Sequence, residues 1–300
     1  MKQIIALVVI FAVVFGTFML HGGRFEALFK VSEIAVIFGA AFAGLAISSK
    51  ISTLKLMFTQ LKMTYSKTKY DSDFYQELLA LMFELVNVAK TQNIKSLDSH
   101  IEHPDSSSIF SKYPRVAADT LTMNFIVDSF RQVISSKLPT HEIEALLEDE
   151  IQVLTEEYLK PSEKLHMMAE STPGLGILAA VMGIILTMQN LDADVGLIGK
   201  NIASALVGTF TGVFGCYCLF GPMSGSIRDV AEMQLAPLHC VKSVIAGYSQ
   251  GMSAHLCANA GRKNIETQYK PTFLELENIV NNLRHTIADS EPEQPTVKAA

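Results

Sequence analysis

The 300-residue chain has no tryptophan, and charged residues make up only 18% of it. Hydrophobic residues account for 49% and mean hydropathy is +0.28, which is too apolar for an ordinary water-soluble domain and makes a membrane protein the first hypothesis. Lys and Arg (24) are outnumbered by Asp and Glu (30), the formal net charge is -6, and no basic run occurs. That argues against a nucleic-acid binder, which needs a basic face to displace counterions from phosphates. Cys216 and Cys218 lie inside an apolar stretch and Cys240 and Cys257 are far apart, so the cysteines form neither a disulfide framework nor paired zinc ligands. They are expected to be reduced and structural.

Catalytic motifs are scarce as well. Gly174-x-Gly176-x-x-Ala179 imitates a dinucleotide loop but follows no strand. His100-x-x-His103 has no third ligand indicated, and Ser52-x-x-Lys55 is a chance-level match. No enzyme, metal site or cofactor is expected.

What the chain does contain is long uncharged runs. Crossing about 30 Å of hydrocarbon takes roughly 20 helical residues. Four runs meet or nearly meet that requirement: Gln3 to Gly23, Ile34 to Ser49, Ser171 to Leu191 and Asn201 to Ile227. They predict spans over residues 3–21, 32–49, 172–190 and 201–223, arranged as two hairpins, 1–49 and 171–227. A signal peptide would also place a Lys before an apolar stretch, but this stretch is long and no Ala-x-Ala pattern follows it. Lys50, Lys55, Lys62, Lys67 and Lys69 follow the second run, so the positive-inside rule puts both termini and residues 50–170 in the cytoplasm.

The 121 residues from 50 to 170 are enough for a helical domain. Phe74, Leu78, Leu81, Met82, Leu85 and Val86 form one apolar stripe at helical spacing; Ile143, Leu146, Leu147, Ile151, Leu154 and Tyr158 form another. Lys95 to Pro114 reads as a loop with short turns, 228–288 as C-terminal helices, and 289–300 as a disordered tail. The expected fold is therefore an all-α integral membrane protein: four transmembrane helices in two hairpins with a large helical cytoplasmic domain.

Inside the second, third and fourth runs there is no Asp, Glu, His, Lys or Arg. Since intramembrane ionisable groups mark proton pathways, a proton-moving role requires another chain to supply the titrating group. Pro173 and Pro222 fall near the cytoplasmic ends of the third and fourth spans, where they can bend two helices at one depth. The plainer alternative makes Pro173 a first-turn proline and Pro222 a stop signal. Gly174, Gly176, Gly183, Gly208, Gly212 and Gly215, with Gly39, Ala43 and Gly44 in the second span, permit close helix approach in a bundle or oligomer.

The stretches Ser171 to Gly183 and Ala205 to Gly212, Tyr113-Pro114-Arg115, the run Asp119 to Arg131, and Gly261-Arg262-Lys263 before Pro271 to Glu275 closely resemble the MotA family, the A subunits of the bacterial flagellar motor stator. The resemblance covers nearly the whole chain. It implies an inner-membrane A subunit that forms a homo-oligomeric ring around a dimer of a MotB-like B subunit. That B subunit's single span carries the proton-accepting Asp. Ion flow then moves the cytoplasmic domain, which pushes on the rotor switch protein FliG.

By the same resemblance Pro173 and Pro222 serve as the torque-coupling hinge, Lys90 and Asp98 meet complementary rotor charges, and Glu150 is a weaker third contact. Ala180 and Thr209 line the ion path. Sodium-driven relatives typically carry Thr at the Ala180 position, so its absence here favours protons. The sequence departs from the usual pattern with Lys90 in place of Arg, Asp98 in place of Glu and Asn93 in place of Gly. An energiser of the ExbB or TolQ kind is the nearest alternative, although those relatives typically have three spans. A passive membrane scaffold is the more distant one.

Overall fold

A computed structural model describes residues 2–135, 138–189 and 195–290, and these residues contain helices and turns but no strand. The first half contains α1 (Lys2–Leu20), α2 (Phe25–Leu28), α3 (Val31–Ser48), α4 (Ile51–Tyr65), α5 (Ser72–Thr91), α6 (Asp98–Glu102), α7 (Pro114–Ala117) and α8 (Thr120–Ser135). The second half contains α9 (Thr140–Met188), α10 (Val195–Phe214), a π-helical segment (Gly215–Phe220), α11 (Gly221–Ser249), α12 (Ala254–Arg262) and α13 (Phe273–Ser290). Four helical stretches, Gln3–Leu20, Val31–Ser48, Thr140–Met188 and Val195–Ser249, are long and apolar enough to cross a membrane. The end of the expected third span at Asn190 lies outside the described residues, as does the tail beyond Ser290.

Two compact units emerge, one from Met1–Lys67 and Glu156–Glu232, the other from Thr68–Thr155 and Met233 onward. The unit holding the apolar spans is thus larger than the expected hairpins, taking in α4 and residues 156–170. The reason is helix continuity. No turn occurs near residue 170, and α9 runs on through Pro161 and Pro173.

In the first unit, Ala41 and Leu45 of α3, Met57 of α4, Leu165 and Met168 of α9, Phe220 and Ile227 form a buried cluster. Phe11 and Phe15 of α1 meet Phe214 of α10 edge-on, both at ring-centroid distances of 5.4 Å. The outward faces of these helices stay apolar: Ile5, Val8, Ile47 and Leu186 are exposed. That is the surface expected against lipid, where an apolar exterior carries no penalty.

The second unit is built on α5, whose Phe74, Leu78, Leu79, Leu81, Met82, Phe83, Leu85 and Val86 are fully buried. Asp71 caps its start by accepting a bond from the Phe74 amide at 3.0 Å. Helices α12 and α13 pack against α5. The 94–119 connection is pinned by carboxylates. Buried Glu84 accepts bonds from Lys112 Nζ (2.5 Å) and Tyr113 Oη (2.8 Å), and buried Asp119 accepts from Lys69 Nζ (2.6 Å), Tyr70 Oη (3.2 Å) and Thr122 Oγ1 (2.5 Å). Arg115 pairs with Asp71, Asp73 and Glu77. Tyr113, Arg115 and Asp119, which the sequence reading singled out for resemblance alone, are therefore structural clamps.

Candidate functional site

The centre of the first unit is the crossing of α9 and α10, where glycines bring two backbones together. A Cβ on Gly212 would lie 2.5 Å from the Thr172 carbonyl oxygen and 2.9 Å from Gly176 Cα. One on Gly176 would lie 2.8 Å from the Gly208 carbonyl oxygen, and further along Gly183 faces Ala205. Gly39, Gly44 and Gly174, expected to serve the same purpose, meet nothing within 4 Å of a built Cβ. Ala180 and Thr209 belong to this crossing and are both half-buried: Ala180 N would be 3.5 Å from a Gly208 Cβ, and Thr209 Cα 3.3 Å from a Gly176 Cβ. The structure thus brings the two expected ion-path residues to one place. Thr187, further along α9, bonds its own helix at Gly183 O (2.8 Å).

Both hinge candidates sit in unusual backbone. Pro173 has no N–H for the Ala169 carbonyl, one turn earlier in α9. The Thr172 hydroxyl substitutes for it, lying 2.8 Å from Ala169 O and 3.0 Å from Gly212 O on α10, so its single proton is shared between its own helix and the neighbouring one. Pro222 likewise leaves Cys218 O without its i+4 donor, and the chain before it is π-helical, with Gly221 N–H bonding Cys216 O. Pro173 lies inside α9 rather than in its first turn, and the chain stays helical past Pro222, the second residue of α11, so neither proline ends a helix: tertiary contacts and π-turn bonding replace the hydrogen bonds that proline removes. Sequence reasoning missed Pro161, the second proline inside α9 besides Pro173, and the π segment, whose only signal is the Gly221-Pro222 pair.

Glu33, at the edge of the second run, lies in the first turn of α3 and accepts a hydrogen bond from Ser204 of α10 and one from Ser32 at 2.5 Å. Hairpin one is thereby fastened to hairpin two by a carboxylate.

The expected rotor contacts lie in the second unit. Lys90, in the last turn of α5, is exposed and donates to Gly251 O at 2.9 Å, with Nζ 5.8 Å from the Tyr248 ring. Asp98 opens α6 and is exposed. Glu150 differs from both: it is half-buried, and burial first, then the charge of Asp128, holds its carboxyl above the usual carboxylate range.

Between Lys90 and Asp98, Asn93 adopts φ +81° and ψ +145°. This conformation is essentially reserved for glycine and costs another residue about 1–3 kcal/mol. The position where the resemblance leads one to expect Gly therefore has a backbone that favours it. Asn93→Gly is expected to raise the unfolding temperature of the purified chain, and a lower midpoint than wild type would refute the strain.

Residues 4–93 match the family described as Motility protein A N-terminal, and residues 117–237 match the MotA/TolQ/ExbB proton channel family. Chemotaxis protein LafT of Vibrio parahaemolyticus is 40% identical over 92% of this chain and 97% of its own. Motility protein A of Salmonella typhimurium is 32% identical over 95% of this chain and 97% of that protein, and that of Escherichia coli 31% over 99% and 98%. The solved C. jejuni MotAB structure superposes with a TM-score of 0.69 at 18% identity, covering 89% of this chain and 96% of that one. The flagellar MotAB stator complex from Bacillus subtilis gives 0.63 at 17%, covering 96% and 98%. With identity above 30% along almost the entire length, the chain belongs to the motility protein A family, within the MotA/TolQ/ExbB proton channel family.

Proposed function

We propose that the chain is the A subunit of a bacterial flagellar stator, placed in the inner membrane with both termini and the second unit in the cytoplasm. It assembles as a ring around a MotB-like dimer and transmits ion flow as torque on the rotor protein FliG. The observation that carries this reading is the α9–α10 crossing: closely packed, bordered by Pro173 and Pro222, and without an acid or base of its own along the uncharged runs. Such a crossing conducts protons only if another chain supplies a carboxylate, which is the division of labour between A and B subunits. Ala180 leaves one oxygen fewer beside Thr209 than a dehydrated sodium ion would want, which supports protons as the coupling ion. All three named relatives are motility or chemotaxis proteins, so the ExbB or TolQ kind of energiser is not favoured.

In cells lacking their own A subunit, the chain expressed with its B partner is expected to restore swimming, and to keep doing so when sodium is replaced by potassium at fixed membrane potential. Lys90→Glu should impair that swimming, with recovery on reversal of an acidic rotor residue, because like charges repel across a contact. Failure to swim in any medium would remove the stator assignment, and a collapse only without sodium would remove the proton.

A further inference from the structure

Helix α4 packs Met57, Leu54 and Leu61 inward yet leaves further apolar residues exposed, unlike a helix resting on a water-soluble domain. Its buried residues are Thr53, Met57, Gln60 and Thr64, whereas Ile51 is 73% exposed, Phe58 64% and Tyr65 42%. A surface helix in water turns its apolar stripe inward. At 3.6 residues per turn the exposed arc runs in order through Tyr65, Phe58 and Ile51, then Lys62 and Lys55, then Thr59 and Ser52. An apolar edge, a basic middle and a hydroxyl edge form the profile of a helix lying in the plane of lipid headgroups. The helix carries no acid at all, so the strip is complementary only to anions.

A second feature adjoins the apolar edge. Leu61 and Tyr65 of α4, Leu7 and Ile10 of α1, and Pro222 and Met223 line a cavity of about 100 Å³. It has room for a short stretch of hydrocarbon and not for a whole lipid.

We propose that this strip and cavity form a binding site for an anionic phospholipid. The phosphate lies between Lys55 and Lys62, Ile51, Phe58 and Tyr65 sit among acyl chains, and one chain segment fills the cavity against Pro222. Lipid occupancy would thereby bear directly on the wide turn before Pro222. The proposal rests on the membrane reading of the spans and not on the stator role.

The absence of tryptophan makes the test direct, since Phe58→Trp introduces a single fluorescent reporter on an exposed position. Tyr65→Trp, at the cavity rim, is an independent second. The full chain is reconstituted in phosphatidylcholine vesicles containing equal mole fractions of either acyl-brominated phosphatidylglycerol or acyl-brominated phosphatidylcholine. Both reporters are expected to be quenched more strongly by the brominated phosphatidylglycerol. Lys55→Gln with Lys62→Gln should reduce that preference by about fivefold per lysine while leaving helix content unchanged.

Equal quenching by the two lipids, or a preference that survives loss of both lysines, would overturn the headgroup site. Quenching by neither lipid would also overturn it, because the strip would then be covered by protein, a second copy of this chain being the obvious occupant.

Discussion

Gly212→Ala is expected to abolish swimming and to lower the amount of protein in the membrane. The added methyl would sit 2.5 Å from the Thr172 carbonyl oxygen and 2.9 Å from Gly176 Cα, and both obstacles are backbone. No rotamer change can relieve such a contact, so α9 and α10 must move apart. Overpacking typically costs about 1–3 kcal/mol, and a clash with two rigid backbones belongs at the upper end. Separation also breaks the Thr172 hydroxyl contact to Gly212 O, a polar tie of 3.0 Å across the crossing whose donor also reaches the Ala169 carbonyl that Pro173 leaves without an amide partner. Gly16→Ala in α1 is the matched control, because a Cβ there meets nothing within 4 Å and alanine is the better helix former. A Gly212→Ala strain that swims and accumulates like the Gly16→Ala strain would show that the crossing tolerates separation.

Some of this was legible because a single local requirement dictated it. Length and absence of charge are enough to identify Ile34 to Ser49 or Asn201 to Ile227 as apolar spans, and the 3.6-residue stripe on α5 is buried as its spacing predicts. The small residues were only half legible: glycine permits close approach without requiring it, and of those expected to pack, Gly176, Gly208 and Gly212 do so while Gly39 and Gly174 do not. The clamps were not legible at all, since Tyr113 finds Glu84 29 residues away and Lys69 finds Asp119 50 residues away. No periodicity encodes such pairs. Continuity of α9 through Pro173 was obscured for a related reason, because whether proline ends a helix depends on whether another donor, here Thr172, reaches the orphaned region. Asn93 was visible only as an oddity against the resemblance, and its backbone angles supply the physical reason.

Pro222→Ala is expected to leave the chain inserted and abundant while removing most of the torque. Pro222 is exposed and offers no hydrogen-bond donor, so its replacement removes no side-chain partner. What changes is the backbone before it. Without an N–H at residue 222, Cys218 O has no i+4 donor, and Gly215–Phe220 winds as π-helix with Gly221 N–H reaching back to Cys216 O. Gly221 cooperates, since a Cβ there would lie 2.7 Å from that same oxygen. Each residue inserted into a helical ladder rotates everything beyond it by about 100°, so this wide turn sets how α11 is rotated relative to α10. Alanine at 222 restores the donor and is expected to let the segment tighten to ordinary α-helix, which would remove the wide turn proposed to convert a displacement at the crossing into a rotation of α11. Gly221→Ala should also stop rotation but by clash, and therefore with reduced protein level. The measurements are membrane protein level, rotation of tethered cells, and amide exchange over residues 215–222, which should be slower in Pro222→Ala than in wild type. Normal torque in a Pro222→Ala strain whose segment exchanges slowly would mean that the π turn is not the coupling element.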